Sequence, residues 1–146
     1  MTPRPLLGPY LLLALALVGL GDTLYLSYFQ YLNLIPSCAI GGCEVVLTSP
    51  YSKFFGVPWS YVGLVFYLYM FCLAVLLAVE PYSKALRWGA LAYTAAGAAY
   101  SCWAIFYIQL SVIGAICQFC AISALTAAAL FGVALWHFVS TRNAVH

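Results

Sequence analysis

Apolar residues in this chain neither alternate nor recur at the spacing of an amphipathic helix; they fill whole stretches. Four such stretches stand out: Pro9–Leu32, Ser60–Val79, Leu86–Leu110 and Ile113–Val139. Each is long enough to cross a hydrocarbon core of roughly 30 Å, which takes about 20 helical residues. A membrane strand would alternate polar and apolar positions, so the uniform runs predict helices. Pro9 suits a first helical turn, and Pro36 follows the expected end of the first span. Arg4 before an apolar run imitates a signal peptide. The apolar character resumes past Asp22 with Leu24, Tyr25 and Leu26, however, which extends that run to a full span.

The stretch from Asn33 to Trp59 is too rich in Gly, Pro, Ser and Tyr to be a span. Within it, Ser52–Phe55 reads as a short interfacial helix, with Phe54 and Phe55 on lipid and Lys53 on water. The expected architecture is therefore all-α and integral to the membrane. It is one domain, a four-helix transmembrane bundle with an extracytoplasmic loop and short helix between helices one and two.

Composition agrees. Of 146 residues, 66% are apolar and 5% charged, against about 25% charged in soluble domains. A net charge of +2 is too small for the basic footprint of a nucleic-acid binder. Basic residues orient the bundle. Arg4, Lys84, Arg87 and Arg142 fall on the side of the termini, and Lys53 alone on the other. Both termini are expected in the cytoplasm, with the long loop and the short turn near Ser111 outside.

That topology puts four of the six cysteines on the outer side, where disulfides persist. Cys38 and Cys43 sit in the long loop around Gly41-Gly42; Cys117 and Cys120 form Cys117-Gln118-Phe119-Cys120 at the outer end of the last span. A helix N-terminus favours the thiolate of the leading thiol, Cys117, and makes it a better nucleophile and leaving group. The glycines let the loop pair close a small ring. Two dithiols facing one compartment suggest a relay by thiol–disulfide exchange. A plain structural disulfide at Cys38/Cys43 is the bland alternative. A four-cysteine zinc site is another, but such sites normally nucleate small soluble modules, and no metal is expected. Cys72 and Cys102 read as packing residues; Ala90, Thr94, Ala98 and Cys102 form a small-residue stripe suited to close helix contact. A second stripe, Cys120, Ala124, Ala128 and Gly132, leaves space beneath the thiol, suited either to a bound ring or tail or to close helix packing. Asp22, costly in lipid, is expected to face the bundle. It serves there either as part of a proton route or through a hydrogen bond to a neighbouring helix by way of Thr23 or a tyrosine.

These residues resemble the vitamin K epoxide reductase family in its bacterial form. The resemblance runs from Leu24-Tyr25-Leu26 through the loop cysteines and Cys43-Glu44-Val45-Val46-Leu47-Thr48-Ser49. It continues with Phe55-Gly56, Ser60, Gly63 and Phe66-Tyr67, and ends at Cys117 and Cys120. Another quinone-linked family, the DsbB-type thiol oxidases, carries its two cysteine motifs in the opposite order. The resemblance implies a quinone beside the helix-four cysteines and a thioredoxin-like (DsbA-like) extracytoplasmic partner. It places the protein in the bacterial plasma membrane. By the same resemblance Cys38 exchanges with the partner, Cys43 shuttles to Cys117, Cys120 faces the quinone and Ser49 holds the loop near the site. Val46, Leu47, Tyr51, Trp59, Phe66 and Ala124 become candidate pocket walls. Vertebrate members have Asn where this chain has Trp59 and Tyr where it has Ala124, both quinone hydrogen-bonding positions. The departures argue against epoxide reduction and for quinone reduction. No fused thioredoxin-like domain is expected.

Overall fold

In lipid every backbone amide must be satisfied within the protein, which leaves long apolar segments no choice but helix. A computed structural model describes residues 6–34, 43–50 and 53–144. Helix α1 spans Leu7–Tyr31, with Pro9 in its first turn. It stops where Asn33 adopts a left-handed conformation (φ 56°), a geometry asparagine tolerates, and the Leu34 N–H folds back to the Phe29 carbonyl at 2.8 Å. A five-residue helix, α2, covers Cys43–Leu47. Helix α3 spans Trp59–Val79, α4 spans Lys84–Trp103 and α5 spans Gln118–Ala144. All four long helices are long and apolar enough to cross a membrane, and they pack as a bundle.

Two expectations need correction. No interfacial helix forms around Phe54 and Phe55. Instead β1 (Lys53–Phe54) pairs antiparallel with β2 (Val57–Pro58). Both residues between the strands, Phe55 (φ 51°) and Gly56 (φ 82°), have positive φ, as a tight two-residue hairpin turn requires. Ser52 lies outside the described residues. The other correction concerns the last two spans. Helix α4 does not end near Leu110 but continues as a π-helical segment, Ala104–Ile113. It closes at Gly114, whose φ of 78° is the left-handed conformation. The last spanning helix then begins only at Gln118 rather than at Ile113. The apolar run Ile113–Ile116 hides this break, because hydropathy cannot register a turn built from Gly114 and three apolar neighbours.

Helix α1 packs against both α3 and α5, and α4 packs on α5, but α3 and α4 scarcely touch. The core lies along the well-packed seams: Leu12 and Ala16 of α1, Met70, Ala74 and Leu77 of α3, and Leu130 of α5 are all fully buried. Near the termini, Arg87 donates to the Thr141 hydroxyl at 2.7 Å and lies over the Phe138 ring. His137 Nε2 sits 3.2 Å from the Pro81 carbonyl. That end of the bundle is closed by side-chain bonds.

Close approach of α1 and α3 depends on Gly19. A Cβ there would fall 2.2 Å from two ring carbons of Tyr67, and Tyr67 is itself buried. Gly19→Ala should therefore destabilise the bundle by ~1–3 kcal/mol, the usual cost of overpacking. Gly132→Ala, which meets no atom within 4 Å, should not. Thermal melts in detergent compare the two.

Candidate functional site

The first amides of a helix have no partner within it. At α5 the residue just before the helix supplies one. The Cys117 carbonyl accepts the Ala121 N–H at 3.0 Å, which places Cys117 at the capping position. Its sulfur accepts hydrogen bonds from the N–H groups of Phe119 and Cys120. Sulfur thus fills the role that a serine or aspartate oxygen plays at ordinary helix starts. The Cys120 thiol also donates to it. That thiol hydrogen bond, with the two amides, outweighs burial and pulls Cys117 down to about 7. Cys117 lies ahead of the spanning helix and is wholly buried. It packs against Val46 of α2, with Leu47, Ile113 and Phe119 around them.

Cys120, in the first turn of α5, touches the same cluster but also opens onto other space. It lines a cavity of about 390 Å³ in the gap between α3 and α4. The cavity is floored by Tyr67, Ser123 and Ala127 and walled by Phe66 and Gly97. Aromatic pairs cross the gap: Trp59 of α3 with Tyr100 of α4, centroids 4.9 Å apart, Phe66 stacked on Tyr93 at 4.7 Å, and Tyr69 against the same Tyr93 at 5.0 Å. Gly97 makes room for the Phe66 ring, because a Cβ there would fall 2.4 Å from it. Tyr67 donates to the Ser123 carbonyl at 2.7 Å, and Ser60 bonds Gln30 of α1. The site is a mostly apolar slot with polar groups at a few points and one sulfur at its outer end. Its volume falls within the roughly 300–1,000 Å³ typical of small-molecule sites. Flat aromatic walls and a nearby sulfur fit a quinone ring.

Of the candidate wall residues, Val46, Leu47, Trp59, Phe66 and Ala124 all border this cavity, as does Ser49. The Ser49 hydroxyl donates to the Val46 carbonyl at 2.8 Å, tying off the end of α2 where that helix meets Cys117. Tyr51 and Cys38 lie outside the described residues. Cys43 opens α2, and its side chain also lies outside them.

Other expectations fail. Cys72 and Cys102 do not pack between helices; both are exposed on the outer face of the bundle. The stripe through Ala90 and Thr94 is buried at those two residues but rotates outward by Cys102. A four-residue repeat slips against the 3.6-residue turn, so the far end of such a stripe leaves the contact. The stripe beneath Cys120 holds as far as Ala124, which borders the cavity, and then drifts outward as well. Ala128 and Gly132 are exposed, and Ser123 and Ala127 line the cavity in their place. Asp22 is half-buried, and its Oδ2 is buried without a hydrogen-bond partner among the described residues. The bridge expected through Thr23 is not made, because the Thr23 hydroxyl donates to Gly19 of its own helix at 2.8 Å. The Asp22 carboxylate is near enough to interact electrostatically with Tyr67, Cys117 and Cys120.

Sequence reading missed Gln109. It is 5% exposed, sits in the π-helical segment, and its Oε1 accepts the Cys117 N–H at 3.1 Å. Its side chain also hydrogen-bonds Cys120. A lone glutamine in an apolar span was the available signal, since a buried carboxamide in lipid needs partners.

With Cys117 at about 7, its thiolate is the majority form above that pH and is lost as pH falls below it. In reduced protein whose other cysteines except Cys120 are replaced by serine, thiolate absorbance should rise with a midpoint near 7. Cys120→Ala, which removes the largest cause, should move that midpoint up toward the ordinary thiol value of about 8.5.

The chain thus joins a capping thiol, a second thiol on an apolar, aromatic-walled slot and a short cysteine-led helix packed on the first. A family model, that of the Vitamin K epoxide reductase family, matches residues 10–135. The chain belongs to this family, whose members are thiol–disulfide oxidoreductases that reduce quinones.

Proposed function

We propose that this protein takes electrons from an extracytoplasmic thioredoxin-like protein and passes them through two cysteine pairs to a quinone, supporting disulfide formation in exported proteins. The observation that carries the reading is the division of labour at the start of α5. Cys120 borders the cavity, whereas Cys117 is turned onto α2, the helix that Cys43 begins. One thiol of the pair faces an electron acceptor and the other faces the supplying loop.

A thiolate of the partner attacks the Cys38–Cys43 disulfide at Cys38, forming a mixed disulfide and releasing Cys43. The partner's second thiol resolves that mixed disulfide and leaves oxidised. Cys43 then attacks Cys117, breaking its bond to Cys120 and leaving the electron pair on Cys120 sulfur beside the acceptor. Cys38 resolves the Cys43–Cys117 bond, so the loop disulfide is restored and the helix pair is reduced. When Cys117 and Cys120 rejoin, two electrons pass to the quinone, which takes up two protons to give quinol. The balance is one dithiol oxidised for one quinone reduced. Trp59 and Phe66 hold the ring by stacking and exclude water. Asp22 joins the proton supply, supported by its buried Oδ2, which has no hydrogen-bond partner among the described residues. The excess of basic residues at the termini supports cytoplasmic termini, with the thiols facing outside.

Oxidation of a reduced thioredoxin-like partner, coupled to quinone in detergent, tests the scheme. Cys38→Ala, Cys43→Ala, Cys117→Ala and Cys120→Ala should each abolish turnover, and Cys72→Ala and Cys102→Ala should retain it. Full activity in Cys120→Ala would refute the quinone-facing assignment. Asp22→Asn should lower kcat by roughly 100-fold, the scale of a lost proton-transfer group, with little change in the KM for the partner; an unchanged kcat would remove it from the proton route.

A further inference from the structure

The carboxamide of Gln109 touches both cysteines of the helix pair. Its Oε1 accepts the Cys117 N–H at 3.1 Å, which leaves its N–H groups for the bond to Cys120 sulfur. Three features hold the carboxamide in place. Gln109 is buried, at 5% exposure. Its own carbonyl accepts the N–H groups of both Gly114 and Ala115, at 2.7 and 3.0 Å. It also sits in the π-helical segment Ala104–Ile113, where the Ser111 hydroxyl reaches back to the Phe106 carbonyl at 3.0 Å. Departures of this kind from α geometry concentrate at functional sites. Here the turn spends its backbone acceptor on the chain reversal and aims its side chain at the thiols.

We infer that Gln109 is a positioning residue for the redox pair, its carbonyl fixing Cys117 at the helix start and its N–H stabilising the charge that develops on Cys120 sulfur when the pair opens. The inference rests on the reading in which Cys120 faces the quinone. When Cys43 attacks Cys117, the Cys43–Cys117 bond forms, the Cys117–Cys120 bond breaks, and the electron pair stays on Cys120. A donor already aimed at that sulfur needs no reorganisation at that moment, which is what gives preorganised donors their value in water-poor sites. The other titratable groups around the carboxamide are Cys117, Asp22 of α1 and Tyr100 of α4, all within electrostatic reach of Cys120. An ionised Asp22 opposes charge on that sulfur, and the Gln109 N–H is the neighbouring donor that favours it.

The test uses the full chain in detergent with Gln109→Glu and Gln109→Leu. Gln109→Glu keeps an acceptor for the Cys117 N–H but turns the donor facing Cys120 into an oxygen. In a Cys117→Ala background, where Cys120 stands alone as it does once the pair has opened, quinone-free protein is alkylated and Cys120 followed by peptide mass. Gln109→Glu should slow that alkylation about tenfold at neutral pH, in proportion to the lost thiolate. In otherwise intact protein it should lower the kcat for quinone reduction by about 100-fold, with the KM for quinone held within about twofold. Acidification protonates the introduced carboxylate and restores a donor, so the ratio of variant to unsubstituted rate should climb as pH falls. Gln109→Leu should show the loss without that recovery. Unchanged alkylation in Gln109→Glu, or a kcat loss whose ratio stays flat with pH, would overturn the inference. Failure of the unsubstituted protein to reduce quinone would instead defeat the proposed function, and the alkylation rates would still judge Gln109.

Discussion

The need to satisfy the first amides of α5 governs the outer end of this molecule. A helix that starts inside protein at a membrane boundary has no bulk water to complete its open N–H groups, and each one left bare costs a few kcal/mol. Here the need is met at the proposed redox pair. Cys117 sulfur takes the amides of Phe119 and Cys120, and Gln109 takes the amide of Cys117. Capping, ordinarily a matter of stability, becomes the device that holds a thiolate in place. It also explains why the helix starts late. Beginning at Ile113 would put both cysteines inside the helix, with no open amides for sulfur to receive.

The second organising fact is an asymmetry among the helix seams. Lipid tails are as apolar as leucine, so no hydrophobic force closes a gap between two membrane helices; packing and polar contacts must do it. Helix α1 meets α3 through Gly19 and Tyr67, and α4 meets α5 through Arg87 and Thr141. Between α3 and α4 aromatic pairs and the Tyr93 hydroxyl on the Phe66 carbonyl span the distance, and the slot survives beneath them. Tyr67 joins the two themes, because its ring fills the α1 seam and its hydroxyl ties the slot floor to α5 through Ser123.

The four spans were legible because length and apolarity suffice to identify a membrane helix, and the cysteine spacing pointed to redox chemistry. What escaped depended on rotation and on small turns. The stripes ending at Cys102 and Gly132 had suitable spacing but drifted onto the outer face. The hairpin at Phe55-Gly56 looked like a short helix because one Phe-Phe pair suits either element. Cys120 and the walls at Val46, Leu47, Trp59 and Phe66 came from family resemblance more than from physics, since nothing in their spacing says they share a cavity. Gln109 was passed over because its significance lies in where a π turn points it.

That π turn is also an insertion in the register of the helix. A π-helical stretch carries more residues per turn than the α form, so between Tyr93, bonded to the Phe66 carbonyl, and the reversal at Gly114 the chain holds surplus length. The number of residues there matters as much as their identity. Removing one of them, even a lipid-facing one such as Phe106, spends that surplus: the segment either relaxes toward α geometry or passes the change on as a rotation of all that follows, about 100° per residue in an α-helix. The distance along the chain from the aromatic seam to the thiols is therefore a ruler, and the carboxamide reads its last mark.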